Sequence, residues 1–213
     1  MDAISTPEHN PRSWNALSLG VRDYREVYEI QKDLVRDHGK ELGPDTVIFV
    51  EHPEVYTFGR KSGQEKETVQ GIHIERGGES TYHNPGQLVM YPIVYLRPGE
   101  RDLHRYLRLL EEAVMRTLSS FSVISQRREG ATGVWVANGQ RKIASVGVAV
   151  SSWVTYHGVA LNVDNPLEGF SKIRPCGFSH EVMTSIQKET GHRLEIAMVR
   201  EELYKHLKAV LTP

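Results

Sequence analysis

A single cysteine, Cys176, is all the thiol the chain contains, so no internal disulfide can brace it. Apolar runs long enough to cross a bilayer are missing, and the start Met1-Asp2-Ala3-Ile4-Ser5-Thr6 has neither the basic residues nor the apolar stretch of an export signal. These absences set the expectation of a reducing, cytoplasmic setting with no membrane partner. Net charge is nearly absent too: 26 Lys and Arg against 27 Asp and Glu leave −1, which gives no electrostatic footprint for nucleic acid. No G-x-G-x-x-G follows a predicted strand, and no glycine-rich stretch ends in Gly-Lys-Ser/Thr, which excludes the familiar nucleotide-phosphate loops. The ten histidines nowhere stand at the spacing of paired zinc ligands, so no metal is expected. Repeats and low-complexity segments are also lacking.

What is present is ordinary globular composition, 39% hydrophobic and 25% charged, over 213 residues, consistent with one domain spanning 1–213. Asp23 is placed to cap a helix whose Tyr24, Val27, Tyr28, Leu34 and Val35 share a face, ending near Gly39. Thr46 to Glu51 reads as a buried strand stopped by His52-Pro53, and Gly59 to Glu67 as an exposed loop. Strands are expected at Ile72–Glu75 and Leu88–Leu96, with Arg76–Gln87 as a loop between them. A helix begins near Asp102 and carries Leu103, Tyr106, Leu107, Leu110, Val114 and Leu118 at helical spacing. Asn138-Gly139 marks a hairpin turn, with Gln140 allowing slack in register. Ser145–Trp153 and Tyr156–Val163 read as strands, and Leu194–Leu211 as a helix. The order predicts an α/β protein with a mixed, largely antiparallel sheet and packed helices.

Three places hold residues suited to chemistry. The loop Arg76-Gly77-Gly78-Glu79-Ser80-Thr81-Tyr82-His83 combines a cation, glycines that permit close backbone approach, hydroxyls and an imidazole; a bare hairpin connection accounts for the same composition. Lys142 opens the apolar strand Arg141-Lys142-Ile143-Ala144-Ser145-Val146-Gly147. Strand lysines usually face water, but one directed inward would be suited to accept or hand on a proton. Cys176 sits between Pro175 and Gly177, with Lys172 and Arg174 close enough in sequence to favour its thiolate if they point inward. A lone cysteine is more often a small buried hydrophobe, so it is the pairing with Lys142 that makes a Cys/Lys dyad worth stating. His157, in Tyr156-His157-Gly158, reads better as a satisfied core histidine than as a site residue.

Three blocks, Arg76 to Leu88, Arg141 to Gly147 with Tyr156 to Val163, and Ile173-Arg174-Pro175-Cys176-Gly177, resemble the lipoyl(octanoyl) transferase family, which is related to the lipoate and biotin protein ligases. Glu51 to Arg60 agrees with the same family, and the order and spacing fit over most of the chain. The resemblance implies the mixed α/β fold of the ligase catalytic domains. It also implies transfer of an octanoyl group from octanoyl-acyl carrier protein to one lysine of lipoyl domains, those of 2-oxoacid dehydrogenase complexes and of the glycine cleavage H protein. Cys176 would carry the acyl group as a thioester, and Lys142 would lower the cysteine's pKa and assist proton transfer. The residues Arg76 to His83, Ser145, Val146, Gly147, Gly158, Val159 and Ala160 would line the acyl pocket. Neither ATP nor another cofactor is implied, and a monomer is expected. Asn84 departs from the family pattern, which commonly has glycine there. The competing readings are an ATP-dependent lipoate-protein ligase, an amidotransferase moving octanoyl between lipoyl domains, and a non-catalytic module that binds acyl carrier protein.

Overall fold

The structure is a computed structural model that describes residues 12–38, 43–63, 69–174 and 178–212. Ten strands and four α-helices appear among these residues. The strands are β1 (Trp14–Val21), β2 (Asp45–Glu51), β3 (Val55–Phe58), β4 (Ile72–His73), β5 (Ser80–His83), β6 (Gln87–Ile93), β7 (Ser125–Arg128), β8 (Ala131–Val136), β9 (Arg141–Ser151) and β10 (Val154–Asn162). The helices are α1 (Tyr24–His38), α2 (Leu103–Ser120), α3 (Ile186–Thr190) and α4 (Ile196–Leu211).

Seven strands form one sheet in the order β1-β2-β6-β10-β9-β8-β7, and three form a smaller sheet, β4-β3-β5. Only β1–β2 and β3–β4 pair in parallel. The mixed, largely antiparallel sheet read from the sequence is therefore the one observed. Period-two alternation assigns the two faces of the large sheet. Val47, Phe49, Leu88, Met90 and Leu161 turn toward α2 and α4, while Ile48, Val50, Val89, Tyr91 and Ala160 turn toward α1. Helices cover both faces, so β2 and β6 read as unbroken apolar runs although their neighbour contact is antiparallel. A third cluster, Phe58, Tyr82, Phe170, Ile173 and Met183, packs between the small sheet and the 3₁₀ turn at Glu168–Lys172.

Helix starts follow their capping residues. Asp23 Oδ1 accepts from the N–H groups of Arg25 and Glu26 at 2.8 and 3.3 Å, and Asp102 Oδ1 accepts from that of Arg105 at 3.0 Å. The hairpin at Asn138-Gly139 is a four-residue loop in which Ala137, Asn138 and Gly139 all have positive φ, so the slack anticipated at Gln140 is used.

Several boundaries differ from the sequence reading. The predicted loop Arg76–Gln87 contains strand β5, which pairs with β3, a strand of four residues directly after the His52-Pro53 stop. The predicted strand Ile72–Glu75 is only Ile72–His73. Strand β9 begins at Arg141, as the apolar run Arg141–Gly147 indicates, but ends at Ser151, two residues short of the predicted Trp153. Helix α4 starts at Ile196, two residues later than expected. Strands β1 and β7 gave no usable signal because both are edges: β1 is mostly exposed with register irregularity between Ser18 and Val21, and β7 reads Ser-Gln-Arg-Arg with irregularity between Gln126 and Arg128.

Candidate active site

A cleft of about 460 Å³, its open mouth included, lies where the small sheet folds over the middle of β9 and β10. Its walls are Arg76, Gly77, Gly78, Thr81 and His83 from the loop and β5, Val89 and Tyr91 from β6, Ser145 to Gly147 from β9, His157 to Ala160 from β10, and Tyr24 from α1. The loop reaches the sheet through the Gly77 N–H, which donates to Val148 O at 3.0 Å. At Gly147 a Cβ would come within 3.0 Å of Gly77 O, so the absence of a side chain there is what lets loop and strand close on each other. The Arg76 guanidinium is buried and donates to Thr57 O and Oγ1 at 2.9 and 3.1 Å, bracing the loop against β3.

Strand alternation divides the predicted pocket residues. Thr81 and His83 line the cleft, while Tyr82 points to the opposite face, where its ring stands 5.4 Å from that of Phe170 and 4.8 Å from that of Tyr56. Ser80 shares that parity and, like Glu79 and Tyr82, is not among the lining residues. Asn84 also lies off the cleft: its amide donates to Pro166 O, and its Oδ1 accepts from Asn165 Nδ2, both at 2.9 Å. Its backbone is not left-handed, so replacing glycine there demands no unusual φ.

The cleft's imidazoles are neutral. His83 Nδ1–H donates to Gln87 Oε1 at 2.6 Å, and the Gln87 amide is itself oriented by donating to Tyr82 O and Asn162 Oδ1. Nε2 of His83 is thereby left as an acceptor. Burial, reinforced by neighbouring His52, pushes His83 down to about 3. His52 donates from Nδ1 to Arg22 O and accepts at Nε2 from the Tyr91 hydroxyl, and burial lowers it to about 4. His157 overturns its expected role as a satisfied core residue. It lines the cleft with φ +58, its backbone N–H donates to Gln31 Oε1 at 2.8 Å, and neither ring nitrogen has a hydrogen-bond partner among the described residues. Burial, with Arg76 nearby, lowers it to about 3.

Lys142 points inward and is completely buried, contrary to the usual lysine on a strand. The cause is local: Val134 pairs with Ala144 but Trp135 pairs with Lys142, so Ile143 is an extra residue on β9 that re-aims its neighbours. Lys142 Nζ donates to Thr132 O at 2.9 Å and lies 5.5 Å from the centre of the Trp135 ring. It stands three residues ahead of Ser145, roughly 10 Å along the strand. Cys176, with Pro175 and Gly177, falls outside the described residues. The chain on either side of them can be followed. Lys172 and Arg174 are exposed, Ile173 is buried against Met183's cluster, and the Phe178 ring meets Trp135 edge-on at 5.1 Å with the Arg128 guanidinium over both rings. Met183 bridges to Lys142, and the Thr184 N–H donates to Lys142 O at 3.0 Å. The segment after Cys176 is thus fastened to β9 at Lys142 itself.

Sequence reasoning missed Tyr24, Val89, Tyr91 and His157 as cleft residues. For Tyr24 the only signal was a helix face that also had to serve as core; for His157 it was the glycine following it.

Comparison with known proteins places these features in a family. The family model described as Lipoyl protein ligase A/B catalytic domain matches residues 23–208. An octanoyltransferase of Syntrophotalea carbinolica is 45% identical over 196 residues, 91% of this chain and 92% of its own. One from Bacteroides fragilis is 46% identical over 191 residues, 82% of this chain and 86% of its own. Among solved structures, lipoate-protein ligase A bound with ATP superposes with a TM-score of 0.68 at 15% identity, covering 95% of this chain and 86% of that one, a likeness of fold.

Proposed function

Because the chain belongs to the octanoyltransferases built on the lipoyl protein ligase A/B catalytic domain, we propose that it moves an octanoyl group from octanoyl-acyl carrier protein to a lysine of a lipoyl domain. Cys176 is the nucleophile in this reading. Its thiolate attacks the donor carbonyl, a new carbon–sulfur bond forms as the donor's own carbon–sulfur bond breaks, and the carrier's sulfur leaves as a thiol with a proton handed over by the Lys142 ammonium. The acceptor lysine amine then attacks the acyl-enzyme, an amide forms, the cysteine sulfur departs, and the amine's proton is passed to Lys142. Covalent catalysis divides one transfer into two easier displacements. The donor is already an activated thioester, so the chemistry calls for neither ATP nor metal.

The observation that carries the proposal is the inward Lys142, wholly buried on a strand whose next residues wall the cleft, with the segment that follows Cys176 tied to its own backbone carbonyl. An amine so enclosed is suited to serve one neighbouring group rather than solvent. The cleft supplies the second requirement. Its Val89, Val146, Val159 and Ala160 give an acyl chain apolar contact, at about 0.8 kcal/mol per methylene removed from water. Its histidines, held neutral, add no charge against that chain.

The test is the intact mass of the protein after incubation with octanoyl-acyl carrier protein in the absence of ATP, compared with Cys176→Ala and followed by hydroxylamine. One octanoyl group gained, released by hydroxylamine and absent from the variant, is the expected result. No adduct from a donor shown to be active overturns the proposal in favour of an ATP-dependent ligase or a non-catalytic binder.

A further inference from the structure

Helix α2 carries an apolar stripe of Tyr106, Leu110, Ala113, Val114 and Leu118, and within it stands one carboxylate, Glu111, as completely buried as the leucines beside it. A charge in that position needs compensation. Part comes from Arg108 Nη1 at 2.7 Å and Arg127 Nε at 3.3 Å, both on Oε2. The other oxygen, Oε1, accepts from the backbone N–H of Gly133 at 2.8 Å.

That N–H belongs to the same peptide unit as the Thr132 carbonyl, and the Thr132 carbonyl is what receives Lys142 Nζ at 2.9 Å. In a trans peptide the two groups point in opposite directions. The carboxylate therefore fixes one end of a planar unit whose other end holds the amine. An N–H bonded to a carboxylate also polarises its own carbonyl and strengthens it as an acceptor. Gly133 makes the arrangement possible in a second way. Its φ of +126 is one that side chains resist, and a Cβ would come 2.6 Å from Lys142 Cε and 2.5 Å from Ala144 O, so the lysine stem passes through the space the side chain would fill.

We infer that Glu111 and Gly133 are positioning residues for Lys142, with Glu111 acting through the Thr132–Gly133 peptide to hold the lysine amine in place. This rests on the proposed role of Lys142 toward Cys176 and adds to it the device that sets the amine. It also accounts for a buried carboxylate that packing alone would replace with leucine.

The experiment uses the full chain and exploits its sole cysteine. The rate of Cys176 alkylation by iodoacetamide is followed against pH, alongside octanoyl transfer, in wild type, Lys142→Met, Glu111→Leu, Glu111→Gln and the Glu111→Leu/Lys142→Met double variant. Lys142→Met should slow alkylation at neutral pH about tenfold, a shift of about one pH unit in the profile. Glu111→Leu should move the profile the same way by about half a unit and lower kcat with little change in KM for the donor. Glu111→Gln, whose amide oxygen can still accept from Gly133, should recover most of both. The double variant should be no worse than Lys142→Met alone, because a positioning residue has nothing to act on once its lysine is gone.

A Glu111→Leu profile superposable on wild type, or losses that multiply in the double variant, would overturn the inference while leaving the dyad intact. An unshifted Lys142→Met profile would instead overturn the reading of Lys142 on which it rests. If Glu111→Leu fails to fold, Glu111→Met, a flexible side chain of similar length that cannot accept from the Gly133 N–H, takes its place: a profile displaced toward that of Lys142→Met supports the inference, and one superposable on wild type overturns it.

Discussion

In the cleft, His83 and His157 are buried as neutral groups, and His83's tautomer is fixed by a neutral amide. Three residues before Ser145 on β9, Lys142 is buried just as deeply, but its surroundings are a carbonyl, an aromatic face and, one peptide away, a carboxylate. The same sheet thus hides polar groups in two ways. One excludes charge from an apolar chamber, and the other builds an electrostatic setting for an amine. Burial alone therefore says little about a residue's task; the partners it is buried with say most.

The comparison can be broken most severely at the lysine. Lys142→Met should lower octanoyl transfer about 10³-fold, in the range for removing a positioned acid–base group, while the cleft still holds the chain. Steady-state transfer together with donor binding would check this, and transfer within a few-fold of wild type would remove Lys142 from the mechanism. In the cleft the sharpest change is Ala160→Leu, which fills space without adding charge. If each methylene contributes about 0.8 kcal/mol, or about fourfold, octanoyl should outrun butyryl by roughly 200-fold in wild type and by far less in the variant. A donor series from four to twelve carbons measures that slope.

Acid should separate the two regions further. Burial holds His52 at about 4 and His83 and His157 at about 3, below the ordinary imidazole value near 6.5. The unfolded chain therefore binds protons first as pH falls. Stability is fully present above about pH 6.5 and is lost on the way down to about pH 3–4, with each histidine adding a slope of about 1.4 kcal/mol per pH unit. Urea unfolding at pH 7.5, 6 and 5 should show the decline, and His83→Gln should flatten it by one histidine's share. The smallest effect is expected at Asn84→Gly, which removes the bonds to Pro166 and Asn165. It should lower stability by about 1–2 kcal/mol and leave chain-length preference where it was.

Much of this architecture was legible beforehand. Three of the four helices announced themselves, α1 and α2 through Asp23 and Asp102 and all three through their apolar spacing, whereas α3, only five residues long, was too short to show a period; the sheet class followed from the grouping of strands. The loop Arg76–His83 was marked by glycines and hydroxyls, but composition could not reveal that β5 runs through it, and so could not separate Thr81 from Tyr82. Lys142 was visible as a candidate, yet its inward turn depends on an extra residue in β9 that only pairing with β8 defines. Glu111 stayed hidden because one acidic residue in an amphipathic helix is unremarkable until its partner, a backbone N–H from a distant strand, is known. Cys176 was singled out by its uniqueness, a fact of sequence that needs no fold.

The two outer strands have a bearing on how another macromolecule can engage this one. β1 departs from regular pairing near Gly20, and β7 offers Gln126, Arg127 and Arg128 with an irregular ladder. Neither rim keeps a regular ladder along its whole length: β1 is regular only over residues 14–18, and β7 is interrupted within its four residues. Edge-to-edge growth of the sheet between copies of this chain is thereby confined to short stretches, which keeps the two rims from acting as templates for aggregation.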